Sequence, residues 1–306
     1  MPISPTSASL RATGIGLVAV LLWASVVGLI KSVSTSFGAT GGAALLYTLA
    51  TVCLMLSVGL GDVRRFPRRY LLIGGLLFVS YELCLSLSIG YSTTSRQAIE
   101  VGMVNYLWPT FTLVGTILFH RRKTSPLIVP GVLLSMTGIV WVLGGDQGFD
   151  LFGMTENVLR NPLSYGLAFV GAIIWAAYCV VTPKLSGGLN GVTLFFGLTA
   201  CALWIKLAFS RDIAWTSEPA ALFTLLLAAA AMGFAYAAWN VGILRGNPTA
   251  LATASYFTPV LSAAFAALVL PSTLPLSFWQ GTAMVCLGSI VCWFATRQRP
   301  SHRLSI

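Results

Sequence analysis

Charge is scarce in this chain. Asp, Glu, Lys and Arg together make up 8% of its 306 residues, and only eight of those are acidic. A soluble domain carries about a quarter charged residues, so a water-soluble enzyme or binding module of this length is excluded. Histidine is nearly absent as well. The two present, His120 and His302, stand in basic segments, and neither His-Glu-x-x-His, Gly-x-Ser-x-Gly nor a P-loop occurs. The six cysteines (Cys53, Cys84, Cys179, Cys201, Cys286, Cys292) all fall in apolar stretches and form no Cys-x-x-Cys pair, which argues against a disulfide framework and a thiolate metal site. No catalytic residue, cofactor or metal is expected, and an intramembrane enzyme is the least favoured class. The first ten residues lack a basic n-region, so the first apolar stretch is read as a retained helix rather than a cleaved signal.

What is present is apolar. Hydrophobic residues make up 57% of the chain and the mean hydropathy is +0.86. Apolar runs recur at 11–33, 40–60, 70–90, 97–119, 127–144, 162–183, 192–210, 220–244, 249–270 and 275–296, each near the length of about 20 residues that a bilayer demands of a helix. The runs are continuous rather than alternating, which disfavours a transmembrane barrel. The expected fold is an all-α integral membrane protein with ten transmembrane helices.

The net charge of +10 does not point to nucleic acid, because the basic residues form short clusters between apolar runs rather than one continuous face. With the N-terminus inside, thirteen of the 18 Lys and Arg fall on the cytoplasmic side, at Arg11, Arg64, Arg65, Arg68, Arg69, Arg121, Arg122, Lys123, Lys184, Arg245, Arg297, Arg299 and Arg303. Lys31, Arg96, Arg160, Lys206 and Arg211 remain outside. The excess of basic loops sets both termini in the cytoplasm.

The chain also repeats itself. At an offset of 150, Tyr106, Pro109, Gly131 and Gly138 match Tyr256, Pro259, Gly281 and Gly288; at 152, Gly14, Trp23 and Ala24 match Gly166, Trp175 and Ala176. Trp, Pro and Gly are harder to match by chance than Leu or Val. The pattern predicts a five-helix repeat at 11–144, an extracytoplasmic connecting loop at 145–161 and a second five-helix repeat at 162–296. Five is odd, so the copies are inverted, the architecture of alternating-access carriers with a solute site near the midplane.

The Trp-Ala pairs at 23–24 and 175–176, the Tyr-x-x-Pro cores at 106–109 and 256–259 and the Gly-x6-Gly spacing after each resemble the drug/metabolite transporter superfamily of the EamA-domain type, across residues 12–296. Within it the chain is similar to the YddG-type exporters of aromatic amino acids. The resemblance implies inverted five-helix repeats, a central cavity and export across a bacterial inner membrane. Many members place an acidic residue just after helices four and nine. Here those places read Phe-His-Arg-Arg (119–122) and Leu-Pro-Ser-Thr (270–273), so no role of that acid carries over.

Candidate site residues follow from depth and symmetry. Glu82 lies about twelve residues into the third helix, roughly 18 Å along its axis; an acid at that depth must face a cavity, find a partner or stay protonated. It is read as a binder of a substrate ammonium or carrier of a coupling proton, or else as a structural hydrogen-bonder. Pro109 and Pro259 each remove the backbone donor to the carbonyl four residues earlier, on Asn105 and Ser255, and are read as hinges beside the site. Trp23, Tyr81, Tyr106, Trp108, Trp175, Tyr178, Trp239 and Tyr256 are aromatic residues in helix bodies rather than at the interface belts, so they are either filler or cavity lining. Glu100, four residues after Arg96, is read as a structural ion pair. Lys206 is read as a snorkelling side chain, and the paired glycines as packing contacts.

The expected function is secondary export of amino acids with aromatic or other apolar side chains by alternating access. The alternatives are a passive channel or facilitator, and a carrier of the same superfamily for another small metabolite or drug. The expected partners are the solute and the lipid bilayer, without nucleic acid, and a monomer is expected.

Overall fold

The computed structural model describes residues 7–120 and 125–296. Arg121, Arg122, Lys123, Arg297, Arg299, His302 and Arg303 lie outside the described residues. The elements run in the order α1 (Ser7–Phe37), α2 (Ala39–Ser57), a 3-10 turn at Val63–Arg65, a π turn at Tyr70–Gly74, α3 (Gly75–Gly90), α4 (Ser95–Asn105), α5 (Trp108–His120) and α6 (Ile128–Leu143). A second 3-10 turn at Gly145–Gln147 precedes α7 (Leu151–Arg160), α8 (Pro162–Leu185), α9 (Val192–Ser210), α10 (Pro219–Arg245), α11 (Pro248–Ser255), α12 (Thr258–Val269) and α13 (Leu276–Thr296). No strand occurs among the described residues.

Among the described residues, eight helical stretches are long and apolar enough to cross a membrane, and Ser95–Phe119, which takes in α4 and nearly all of α5, is one of them. Two shorter apolar helices, Ile128–Leu143 and Thr258–Val269, accompany these. Leu56, Leu72, Phe209 and Leu268 point outward at 83, 74, 87 and 82% exposure. Faces that greasy are stable against acyl chains rather than water, and the protein is a multi-pass membrane protein. Local signals start the helices. The Thr94 hydroxyl accepts from the Gln97 amide at 3.0 Å to cap α4, and the Asn161 side chain accepts from the Ser164 amide at 3.2 Å ahead of Pro162 in α8, as expected for N-caps.

The segment 145–161, expected as a loop, is largely helical. Asp150 caps α7 by accepting from the Phe152 amide at 2.9 Å, and Phe152 and Leu159 stand 89% and 69% exposed.

Helix packing relies on missing side chains. On α6 and α13, a Cβ added to Gly138 would lie 2.7 Å from the Gly281 carbonyl oxygen, and one on Gly281 would lie 2.7 Å from that of Gly138. Gly131 and Gly288 meet in the same reciprocal way, at 3.0 and 2.6 Å. These four glycines are contact points where two backbones touch. Elsewhere α1 packs along α10, α3 along α8 and α2 along α9.

The α4 end of the bundle is closed. Every residue from Gln97 to Asn105 in α4 is buried, and α4 packs on α1, α3, α6, α8 and α12. Its counterpart in sequence, α11, packs on α1 and α10. Glu100 bolts the closed end. Its carboxylate accepts from Arg96 at 3.0 Å, from Asn157 of α7 at 2.9 Å and from the Tyr165 hydroxyl of α8 at 2.6 Å. Arg96 also reaches Asp146 at 3.1 Å. Lys206 donates to the Thr40 hydroxyl at 3.2 Å and lies 5.6 Å from the centre of the Tyr91 ring, a structural setting.

Candidate functional site

The two proline positions break their helices at matching places. α4 ends at Asn105 and α5 begins at Trp108, so Tyr106 and Leu107 form a turn; α11 ends at Ser255 and α12 begins at Thr258, so Tyr256 and Phe257 do the same. Proline lacks the N–H that would continue the ladder, and a broken helix inside a membrane survives where it is buried in protein or lines a cavity. Both breaks border one central cavity of about 270 Å³, near the lower end of ligand-sized pockets, roughly 300–1,000 Å³.

The structure gathers most of the candidate residues there. Trp23 of α1, Tyr81 of α3 and Asn105, Tyr106, Trp108 and Pro109 at the first break all line the cavity. Trp175 of α8, Trp239 of α10 and Ser255, Tyr256 and Pro259 at the second break complete the wall. The rings form two groups. Trp175 stacks on Tyr81 at 4.4 Å and 29°, and on Tyr178 at 4.9 Å and 10°, with Trp108 edge-on at 6.5 Å. Trp23 meets Trp239 at 5.1 Å and Tyr236 at 5.2 Å. Each tryptophan of the repeated Trp-Ala pairs therefore packs on a helix from the other half of the chain.

Two candidates are placed elsewhere. Tyr178 does not line the cavity; it backs Trp175 from behind. Glu82 is fully buried and does not line it either. Its Oε2 accepts from the Tyr47 hydroxyl at 2.6 Å and its Oε1 from the Tyr236 hydroxyl at 2.8 Å. Depth along a helix cannot reveal which way a residue is rotated about it, and that rotation turns Glu82 towards α2 and α10.

Sequence reasoning did not single out Tyr236, which lines the cavity with Met232, Cys179 and Ser289. A signal for it existed: Tyr236 precedes Trp239 by three residues, so both share one helix face.

The described lining residues include no acid and no base. Burying an unpaired ion against such a wall costs far more than burying a neutral group. One polar atom is left over. The Asn105 side-chain nitrogen donates to the Tyr81 hydroxyl at 3.4 Å, while its Oδ1 is buried without a hydrogen-bond partner. An orphaned buried acceptor costs about 1–3 kcal/mol; Oδ1 itself is covered, so a donor in the cavity satisfies it once the Asn105 side chain turns. The aromatic faces also attract cations. A larger hollow of about 410 Å³ lies beside Arg96, Glu100, Glu156 and Arg160, but those charges are already paired with one another or with neighbours, so the central cavity is the better candidate.

Known proteins share this plan. The sequence pattern of the EamA-like transporter family matches residues 162–294. The aromatic amino acid exporter YddG of Salmonella typhimurium is 56% identical over 95% of this chain and 99% of its own length, and that of Escherichia coli K12 is 53% identical over 94% and 98%. A YddG of Ancylobacter novellus is 28% identical over 82% of this chain and 86% of its own. A solved crystal structure at 23% identity superposes with a TM-score of 0.66 over 94% of this chain and 98% of that one, a likeness of fold. With near-complete coverage at more than half identity, and with the membrane helices described above, this chain belongs to the EamA-like transporter family and is a transporter rather than an enzyme.

Proposed function

We propose that this protein exports amino acids with aromatic or other large apolar side chains across a bacterial inner membrane, by alternating exposure of the central cavity. The observation that carries the reading is the wall itself: tryptophan and tyrosine rings with no charged lining residue and one buried, unpartnered acceptor at Asn105 Oδ1. Such a wall suits a solute that is zwitterionic, with an apolar body for the rings and an ammonium for the acceptor. The two relatives above half identity are aromatic amino acid exporters, which supports the same class.

The architecture we infer is ten transmembrane helices in two inverted repeats, at 11–144 and 162–296, with both termini cytoplasmic. In it, α4 with α5 and α11 with α12 each count as one broken crossing, and α7 lies on the outer surface. The reciprocal glycine contacts and the matched breaks support the repeat, and the basic loops support the orientation. Trp23, Tyr81, Asn105, Tyr106, Trp108, Trp175, Trp239, Ser255 and Tyr256 then bind solute directly, with Tyr178 and Glu82 behind them and Pro109 and Pro259 as hinges.

Binding tests the site apart from transport. Purified protein titrated with phenylalanine, tryptophan, 3-phenylpropionate and lysine should show saturable heats of binding in calorimetry with the two aromatic amino acids, and weaker ones with the des-amino acid and the cation. Equal responses to all four would overturn the assignment.

A further inference from the structure

Tyr236 joins the cavity to the buried acid. Its ring lines the cavity, set edge-on to Trp23 at 5.2 Å and 79°, and packed on Phe196 at 5.1 Å. Its hydroxyl points away from the cavity and donates to Glu82 Oε1 at 2.8 Å. The other carboxyl oxygen is held by Tyr47 at 2.6 Å, and Tyr47 and Glu82 are both 0% exposed. The carboxyl group is thus walled off from the cavity, with Tyr236 as a layer between them.

A tyrosine side chain turns about two torsions, and a ring at a cavity edge has empty space to turn into. The hydrogen bond to a fixed, buried acceptor stops that turn. It is costly to break, because the carboxyl oxygen left behind has no water to replace the lost donor. The bond also spans the two halves of the chain, since Glu82 stands on α3 and Tyr236 on α10.

We propose that Tyr236 is a specificity-determining wall of the solute cavity and that Glu82 is its positioning residue, acting on the solute through the Tyr236 hydroxyl rather than by contact with an ammonium. This rests on the reading of the central cavity as the solute site.

The test is a double-mutant cycle in proteoliposomes, measuring KM for tryptophan and for leucine, and competition by 3-phenylpropionate. The variants are Tyr236→Phe, Glu82→Leu, which removes the acceptor, the two combined, Tyr47→Phe and Trp175→Ala. Tyr236→Phe and Glu82→Leu should each move the tryptophan-to-leucine KM ratio in the same direction by about threefold or more, and the combination should move it no further than either alone. Tyr47→Phe, which touches Glu82 but not the cavity, should leave the ratio unchanged, and these first four variants should keep the wild-type preference for phenylalanine over 3-phenylpropionate. KM ratios are internal to each variant, so different expression levels cancel. If Tyr236→Phe does not insert, Glu82→Leu and Tyr47→Phe decide alone, a shift in the first without one in the second supporting the assignment. Additive shifts, an equal shift in Tyr47→Phe, or loss in Glu82→Leu of the discrimination against 3-phenylpropionate would overturn it. Trp175→Ala with every KM unchanged would remove the cavity reading itself, and the assignment with it.

Discussion

Trp175 sits between Tyr81 and Tyr178 with nearly parallel rings, so its indole is fixed before a solute arrives. A preordered wall costs little entropy on binding. Removing it leaves room for small solutes and takes away the face that large ones stack on. Trp175→Ala should therefore raise KM for tryptophan by about tenfold, near 1.4 kcal/mol, while leucine changes much less; transport assays with both solutes check this. At Asn105 the expectation concerns polarity. Asn105→Leu keeps a similar volume but removes the unpartnered acceptor, and a hydrogen bond to a charged donor is worth about 1.5–3 kcal/mol. It should abolish the preference for phenylalanine over 3-phenylpropionate, a preference that equilibrium competition reads directly. The positions of Trp23 and Trp175 were legible in the sequence because an internal match marks them. The partners of Glu82 were not legible, because Tyr47 and Tyr236 lie 35 and 154 residues away and nothing local records such a pairing.

At the scale of elements, the prolines and glycines do different work. The breaks at 106–107 and 256–257 place turns at the cavity's edge, which suits hinges that absorb backbone rotation. Pro109→Ala and Pro259→Ala should insert normally and slow transport by a larger factor than they weaken binding, and initial rates set beside equilibrium binding separate the two. Gly138 and Gly281 hold α6 against α13 through backbone contact. Gly138→Leu would force those helices apart, an overpacking cost of typically 1–3 kcal/mol, and should lower the midpoint of thermal unfolding in detergent. The sequence carried both signals, since proline and glycine act through the backbone wherever they stand. It carried no equally clear one for α7: ten residues with Glu156, Asn157 and Arg160 among them are too short and polar to register as an apolar run, although an N-cap and an exposed apolar face make them helical.

For the whole molecule, the burial of α4 and the Glu100 bolt hold one end of the bundle closed. Under the proposed orientation that closed end is extracytoplasmic. Orientation is checked with single cysteines on a cysteine-free background: Arg68→Cys should react with an impermeant thiol reagent only after cells are opened, and Glu156→Cys in intact cells. The most direct test of the central claim is counterflow. Proteoliposomes preloaded with unlabelled phenylalanine should accumulate labelled phenylalanine transiently above equilibrium, saturably, and more slowly with Trp175→Ala, because a carrier returns faster when loaded. Labelled solute that only equilibrates, at a rate proportional to its concentration and indifferent to phenylalanine on the other side, would show an open path and contradict an alternating cavity.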